Sequence, residues 1–122
     1  MDVLFVEDEP LVREVVSAGL RDAGLEVVEA SSAEEALTLA DRQALWPRVV
    51  VTDLHLAGRI DGLALGSEVL RKWPGIGVVY ATGNPHEFDG RILGPCERYV
   101  VKPYETAALL RAVRRVLPVC KS

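Results

Sequence analysis

Five short β-type runs mark the chain, at 3–6, 26–30, 49–52, 78–81 and 99–101, and between them apolar residues recur every three or four positions. That alternation predicts strands separated by helices. The runs Val49-Val50-Val51-Thr52 and Val78-Val79-Tyr80-Ala81 are apolar almost throughout, as strands covered on both faces are. After the first run, Pro10 suits the first turn of a helix, where its missing N–H is harmless. Val12, Val15, Val16, Leu20 and Ala23 form its expected apolar stripe, and Gly24 is a suitable stop.

The remaining helices carry their own signals. Ser32 and Glu35 make a capping box for a second helix with the stripe Ala33, Ala36, Leu37, Ala40 and Ala44. Asp61-Gly62 opens a third, with Leu65, Val69, Leu70 and Trp73 on one face, until Pro74-Gly75 breaks it. Asn84-Pro85 predicts the cap and first turn of a fourth, patterned only by Phe88, Ile92 and Leu93. Gly90, Gly94 and Pro95 punctuate it, so 84–95 is expected to be the least stable of the helices. A final helix turns Leu109, Leu110, Val113, Val116 and Leu117 inward. Because crossovers between parallel strands are right-handed, these elements predict an α/β three-layer sandwich around one parallel sheet.

At 122 residues the chain is the size of one domain, expected to span 1–122. No repeat, low-complexity tract or linker interrupts it, and no room for an output domain is expected. The net charge of −4 argues against nucleic acid or an anionic membrane as partner. No apolar run approaches the roughly 20 residues of a membrane span, and the start leads almost directly into a strand without a secretory pattern. A cytoplasmic protein is therefore expected. Cys96 and Cys120 have neither metal-ligand nor redox-pair spacing and are expected to be free thiols. Nucleotide-binding glycine motifs are absent.

Chemistry collects at the ends of the strands. Glu7-Asp8 follows the first, Asp53 the third, Thr82 the fourth and Lys102-Pro103 the fifth. In a parallel sheet these carboxyl ends share one edge, where ligands bind. Carboxylates brought that close repel, so the group needs a cation or raised pKa values. Magnesium accepts such oxygen ligands and keeps several waters. Each residue alone has an ordinary explanation, such as acidic groups favouring a helix N-terminus. Asp53 does not fit that one, because Asp61 is the natural cap of the next helix.

Taken in order, Glu7-Asp8, Asp53, Thr82 and Tyr99-x-x-Lys102-Pro103 resemble the response-regulator receiver domains of two-component signalling, over essentially the whole chain. Tyr80-Ala81-Thr82-Gly83 is similar to a signature of receivers rich in stand-alone members. The resemblance implies a flavodoxin-like (βα)5 fold with strand order 2-1-3-4-5 and a signalling module, not an enzyme. It implies Asp53 as phosphoacceptor and Mg²⁺ bound by Asp8, Asp53 and the backbone carbonyl of His55, with Glu7 acting through a water. Lys102 would pair with Asp53 and then with the phosphoryl oxygens, which Thr82 would also contact; Thr82 and Tyr99 would form the switch. His55 and Asn84 would face the phosphorylated site and set the acyl-phosphate lifetime. The implied partners are a histidine kinase or histidine phosphotransfer protein, meeting the first helix, and a downstream protein target. The chain would be a monomer or a phosphorylation-linked homodimer through its last two strand–helix units.

The loop Leu56-Ala57-Gly58-Arg59-Ile60-Asp61-Gly62 is longer than the family's usual one and lacks its Met-Pro-Gly. Two other readings remain. A degenerate receiver would bind proteins without phosphorylation. A flavodoxin-like phosphatase would carry an acid–base Asp where His55 stands.

Overall fold

Five strands, β1 (Val3–Val6), β2 (Val27–Ala30), β3 (Val49–Asp53), β4 (Gly77–Thr82) and β5 (Glu97–Val101), pair side by side in parallel in the order β2-β1-β3-β4-β5. This is the flavodoxin-like order. A computed structural model describes residues 2–42 and 47–120, with the side chains of 118–120 outside that description. The helices are α1 (Pro10–Asp22), α2 (Ala33–Arg42), α3 (Gly62–Lys72) and α4 (Thr106–Cys120).

Alternation along each strand divides the core into two layers. Leu4, Val6, Val50, Val78 and Tyr80 pack with residues of α2 and α3. Val3, Phe5, Val49, Val51, Val79 and Ala81 pack with residues of α1 and α4. Every residue of β1, β3 and β4 is buried, which is why those runs have so few polar positions. The helix starts follow their sequence signals. Ser32 Oγ accepts from Glu35 N at 3.0 Å, and Glu35 Oε1 accepts from Ser31 N at 2.8 Å. Asp61 Oδ1 accepts from Ala64 N at 2.8 Å.

The interior also holds a polar anchor. Tyr80 is fully buried, and its hydroxyl donates to Glu97 Oε2 at 2.7 Å. Burial, then the Glu97 carboxylate, drives the phenol far above its ordinary pKa. The ring lies directly over Gly66, where a Cβ would stand 2.2 Å from the Tyr80 hydroxyl oxygen.

Three expectations need correction. Residues 84–95 do not make a fourth α-helix: Pro85–Phe88 is a single 3-10 turn, capped by Asn84 Oδ1 accepting from His86 N at 3.0 Å. Gly90, at φ +77°, turns the chain away, and with Gly94 and Pro95 it denies a helix its next turns. Phe88 is buried and Leu93 packs on the core, but Ile92 is 99% exposed. In α1 the buried edge is Val16, Ser17 and Leu20, while Val12, Val15 and Ala23 face out. Small residues allow α1 to lie close to α4: a Cβ on Gly19 would come within 2.9 Å of Thr106 Cγ2.

The expectation of free thiols fails as well, because Cys96 is disulfide-bonded; the side chain of Cys120 lies outside the described residues, as does Ala44 of the second stripe. Helix α4 runs back toward the start of β4 and β5, where a Cβ on Gly77 would meet Val116 and lie 3.7 Å from Cys96 O. Spacing in sequence does not report that neighbourhood. No helix among the described residues is long and apolar enough to cross a membrane.

Gly66→Ala should overpack the α3–β4 contact and cost roughly 1–3 kcal/mol of stability. The check is the urea midpoint; an unshifted value would mean that Tyr80 repacks freely.

Candidate functional site

The carboxyl ends of β1, β3, β4 and β5 bring the polar residues together as the strand pattern requires. One carboxylate oxygen from each of Glu7, Asp8 and Asp53 lies within 4.8 Å of the others. Lys102 Nζ stands 2.5 Å from Asp53 Oδ2 and 3.9 Å from Glu7 Oε1. Glu7 is 2% exposed and Asp53 9%, while Asp8 is half-buried toward the opening.

Backbone bonds hold these carboxylates in place. Asp53 Oδ1 accepts from His55 N at 3.3 Å, and Asp8 Oδ2 accepts from Ala57 N at 3.0 Å. The second bond ties the β3–α3 loop to the end of β1. Glu7 Oε2 accepts from Glu9 N at 3.4 Å, and Arg13 Nη1 donates to Glu7 O at 2.7 Å. At the base of the loop, Leu54 N donates to Ala81 O at 2.8 Å and Gly62 N to Leu54 O at 2.9 Å. Glycine is required at position 62, since a Cβ there would lie 1.9 Å from Asp53 O.

One ammonium faces three carboxylates, and the imbalance appears in Glu7. Its pKa is pushed up to about 7, first by burial and then by the Asp53 charge, against the opposing pull of Lys102. Tyr104 senses the same charges: burial, then Glu7 and Asp53, push its phenol up to about 12. This rim residue was not picked out in the sequence, where nothing but its place two after Lys102 marks it. A cluster of oxygen donors carrying excess negative charge fits a hard divalent cation of the magnesium class.

The expected switch and tuning residues are arranged differently from the acidic group. Thr82 is buried, and its hydroxyl lies 2.7 Å from Glu87 Oε1, to which it donates. The other Glu87 oxygen, Oε2, meets His55 Nε2 at 2.6 Å. Glu87 was missed in the sequence because no periodicity places it; only the fold brings 87 beside 55 and 82. Asn84 is exposed and uses Oδ1 to cap the 3-10 turn. Tyr99, 41% exposed, stacks on Phe88 at 4.6 Å between ring centroids.

Beside the site, Val12, Val16, Lys102, Pro103 and Tyr104 line a cleft of about 380 Å³. Leu11 and Val15, 75% and 69% exposed, extend an apolar surface along α1 next to it.

The profile of the response regulator receiver domain family matches residues 3–114. The transcriptional regulatory protein AruR of Pseudomonas aeruginosa is 36% identical over 121 residues, covering 94% of this chain and 48% of that protein. The chain spans about half the length of the curated relatives it matches. The receiver domain of NtrX from Brucella abortus superposes with a TM-score of 0.79 at 31% identity, covering 96% of this chain and 98% of that one. Chemotaxis protein CheY4 of Vibrio cholerae gives 0.81 at 28% identity, covering 95% and 98%.

Unfolding returns Glu7 from a pKa of about 7 to its ordinary 4.5. Its contribution to stability is therefore fully present below the lower value and is lost as pH rises through the upper one. Magnesium should reverse the loss by favouring the ionised form, so its effect on Tm should be small near pH ~5 and grow toward pH ~8. A magnesium-induced shift independent of pH would mean that Glu7 does not sense the ion.

Proposed function

Because the chain belongs to the response regulator receiver domain family, we propose that it takes a phosphoryl group from a partner's phosphohistidine onto Asp53. The observation that carries this reading is Lys102 Nζ seated on Asp53 Oδ2 inside a cluster of three carboxylates. A carboxylate oxygen of Asp53 attacks phosphorus, the P–N bond to the partner's imidazole breaks, and an acyl phosphate forms. Hydrolysis then breaks the P–O bond and restores the carboxylate.

Charge control is most of the catalysis, since phosphoryl transfer spreads negative charge over the equatorial oxygens. Asp8 and Asp53, with the backbone carbonyl of His55, would hold Mg²⁺ and Glu7 would reach it through water; the ion supplies the positive charge that shields the carboxylates from the incoming phosphoryl group. Lys102 is already in contact with the acceptor and can follow its charge to the phosphoryl oxygens. Thr82, at the end of the neighbouring strand, offers a hydroxyl to one of them.

The donor would be a histidine kinase or a histidine phosphotransfer protein. Leu11, Val12 and Val15 support a docking surface on α1, because they are apolar, exposed and border the cleft beside Lys102. The signal would leave through the face that contains the 3-10 turn, β5 and α4. Drawing the Thr82 hydroxyl toward the phosphoryl group would disturb the turn on which Tyr99 stacks, presenting a different surface to a downstream protein or a second copy. A cytoplasmic site of action agrees with this chemistry.

Intact mass after incubation with Mg²⁺ and acetyl phosphate should show one added phosphoryl group on the parent and none on Asp53→Asn. No addition together with no magnesium binding would favour the phosphorylation-independent module. Loss of the label with time should change in His55→Ala and Asn84→Ala; identical decay in both would remove their role in setting the lifetime.

A further inference from the structure

The Glu87 carboxylate holds two of the groups on which the phosphorylated site would draw. One oxygen accepts the Thr82 hydroxyl at 2.7 Å and the other meets His55 Nε2 at 2.6 Å. Glu87 itself rides on the 3-10 turn, where its N–H donates to Asn84 O at 3.1 Å and the next residue, Phe88, stacks on Tyr99. We propose that Glu87 is a positioning residue that withholds the Thr82 hydroxyl from the phosphoryl site and couples its release to movement of the 3-10 turn. This rests on the assignment of Asp53 as phosphoacceptor.

The competition is chiefly between two anions for one proton, with the neutral Asn84 O, 3.1 Å from the Thr82 hydroxyl, the weaker acceptor. Thr82 has a single hydroxyl hydrogen, and it cannot donate to Glu87 and to a phosphoryl oxygen at once. Both bonds are charge-assisted, so the resting one is strong enough to oppose phosphorylation and weak enough to be replaced. Once Thr82 turns to the phosphoryl group, Glu87 keeps only the His55 arm, whose imidazole is largely exposed. With that tether loosened, the turn keeps its own short-range bonds, among them the Asn84 cap and the Glu87 N–Asn84 O bond, but its tie to the site is lost and the burial of Phe88 is what still seats it on the core. Phe88 is the residue under Tyr99, so the loss of one hydrogen bond is passed to an exposed aromatic about a strand away.

Simple repulsion offers a competing explanation, because Glu87 adds a further negative charge near the acceptor. A double-mutant cycle separates the two. Acetyl phosphate labelling of Asp53, followed by intact mass, should run about tenfold faster in Glu87→Ala than in the parent, equivalent to about 1.4 kcal/mol. In a Thr82→Ala background the same Glu87→Ala change should have no effect. Acceleration that persists without Thr82 would assign the effect to charge and overturn the latch. In the unlabelled protein, amides of 85–90 should exchange faster in Glu87→Ala than in the parent. Equal labelling rates and equal exchange would also overturn the latch while leaving Asp53 as acceptor. A parent that takes no label, with an Asp53→Asn control identical to it, would remove the acceptor assignment and the latch together.

Discussion

Three carboxylates and one ammonium at the buried edge of a sheet set the terms for everything around them. Lys102 reaches both Asp53 and Glu7, yet one positive charge cannot balance three negative ones in a poorly hydrated site. Burial and the Asp53 charge answer by raising Glu7 to about 7. The imbalance is left standing by the fold, since backbone bonds from His55, Ala57 and Glu9 fix each carboxylate where the others repel it. A cluster of this charge and donor set fits an external divalent cation.

Parallel strand order makes the concentration possible. Each strand arrives at the edge from the same direction, so a polar residue placed after any apolar run lands in the same place. For that reason Glu7, Asp8, Asp53, Thr82 and Lys102 could be read from the sequence. Strand runs, capping residues at 32, 35 and 61, and the inward stripes of α3 and α4 were legible because local chemistry alone determines them. The stripe of α1 was not: Val12 and Val15 have the same periodicity whether they face a core or a partner, and exposure alone separates the cases. The segment after Asn84 carried helix-start signals without the residues that would sustain a helix.

Tertiary neighbours were the least legible. Nothing local says that position 87 will bridge 55 and 82, or that Cys96 will be bonded where the end of the last helix comes back to the sheet. Tyr104 was equally silent, though it feels Glu7 and Asp53. These residues lie on loops or element ends, whose surroundings are decided by topology. The fold class therefore follows from pattern, while the wiring of the site depends on where irregular segments come to rest.

The β3–α3 loop is held at its base. Its two ends are sutured directly beneath Asp53: Leu54 is hydrogen-bonded to Ala81, Gly62 to Leu54, and Gly62 lies against Asp53 O so closely that no side chain fits. Residues between those stitches can grow or shrink in number while Asp53 stays where the sheet put it. The loop from Leu56 to Gly62 contains no proline, and Ala57 N reaches Asp8 Oδ2 from it. Such a closed hem separates the loop's length from the placement of Asp53. The loop's outer surface could differ while the acidic cluster beneath keeps its geometry.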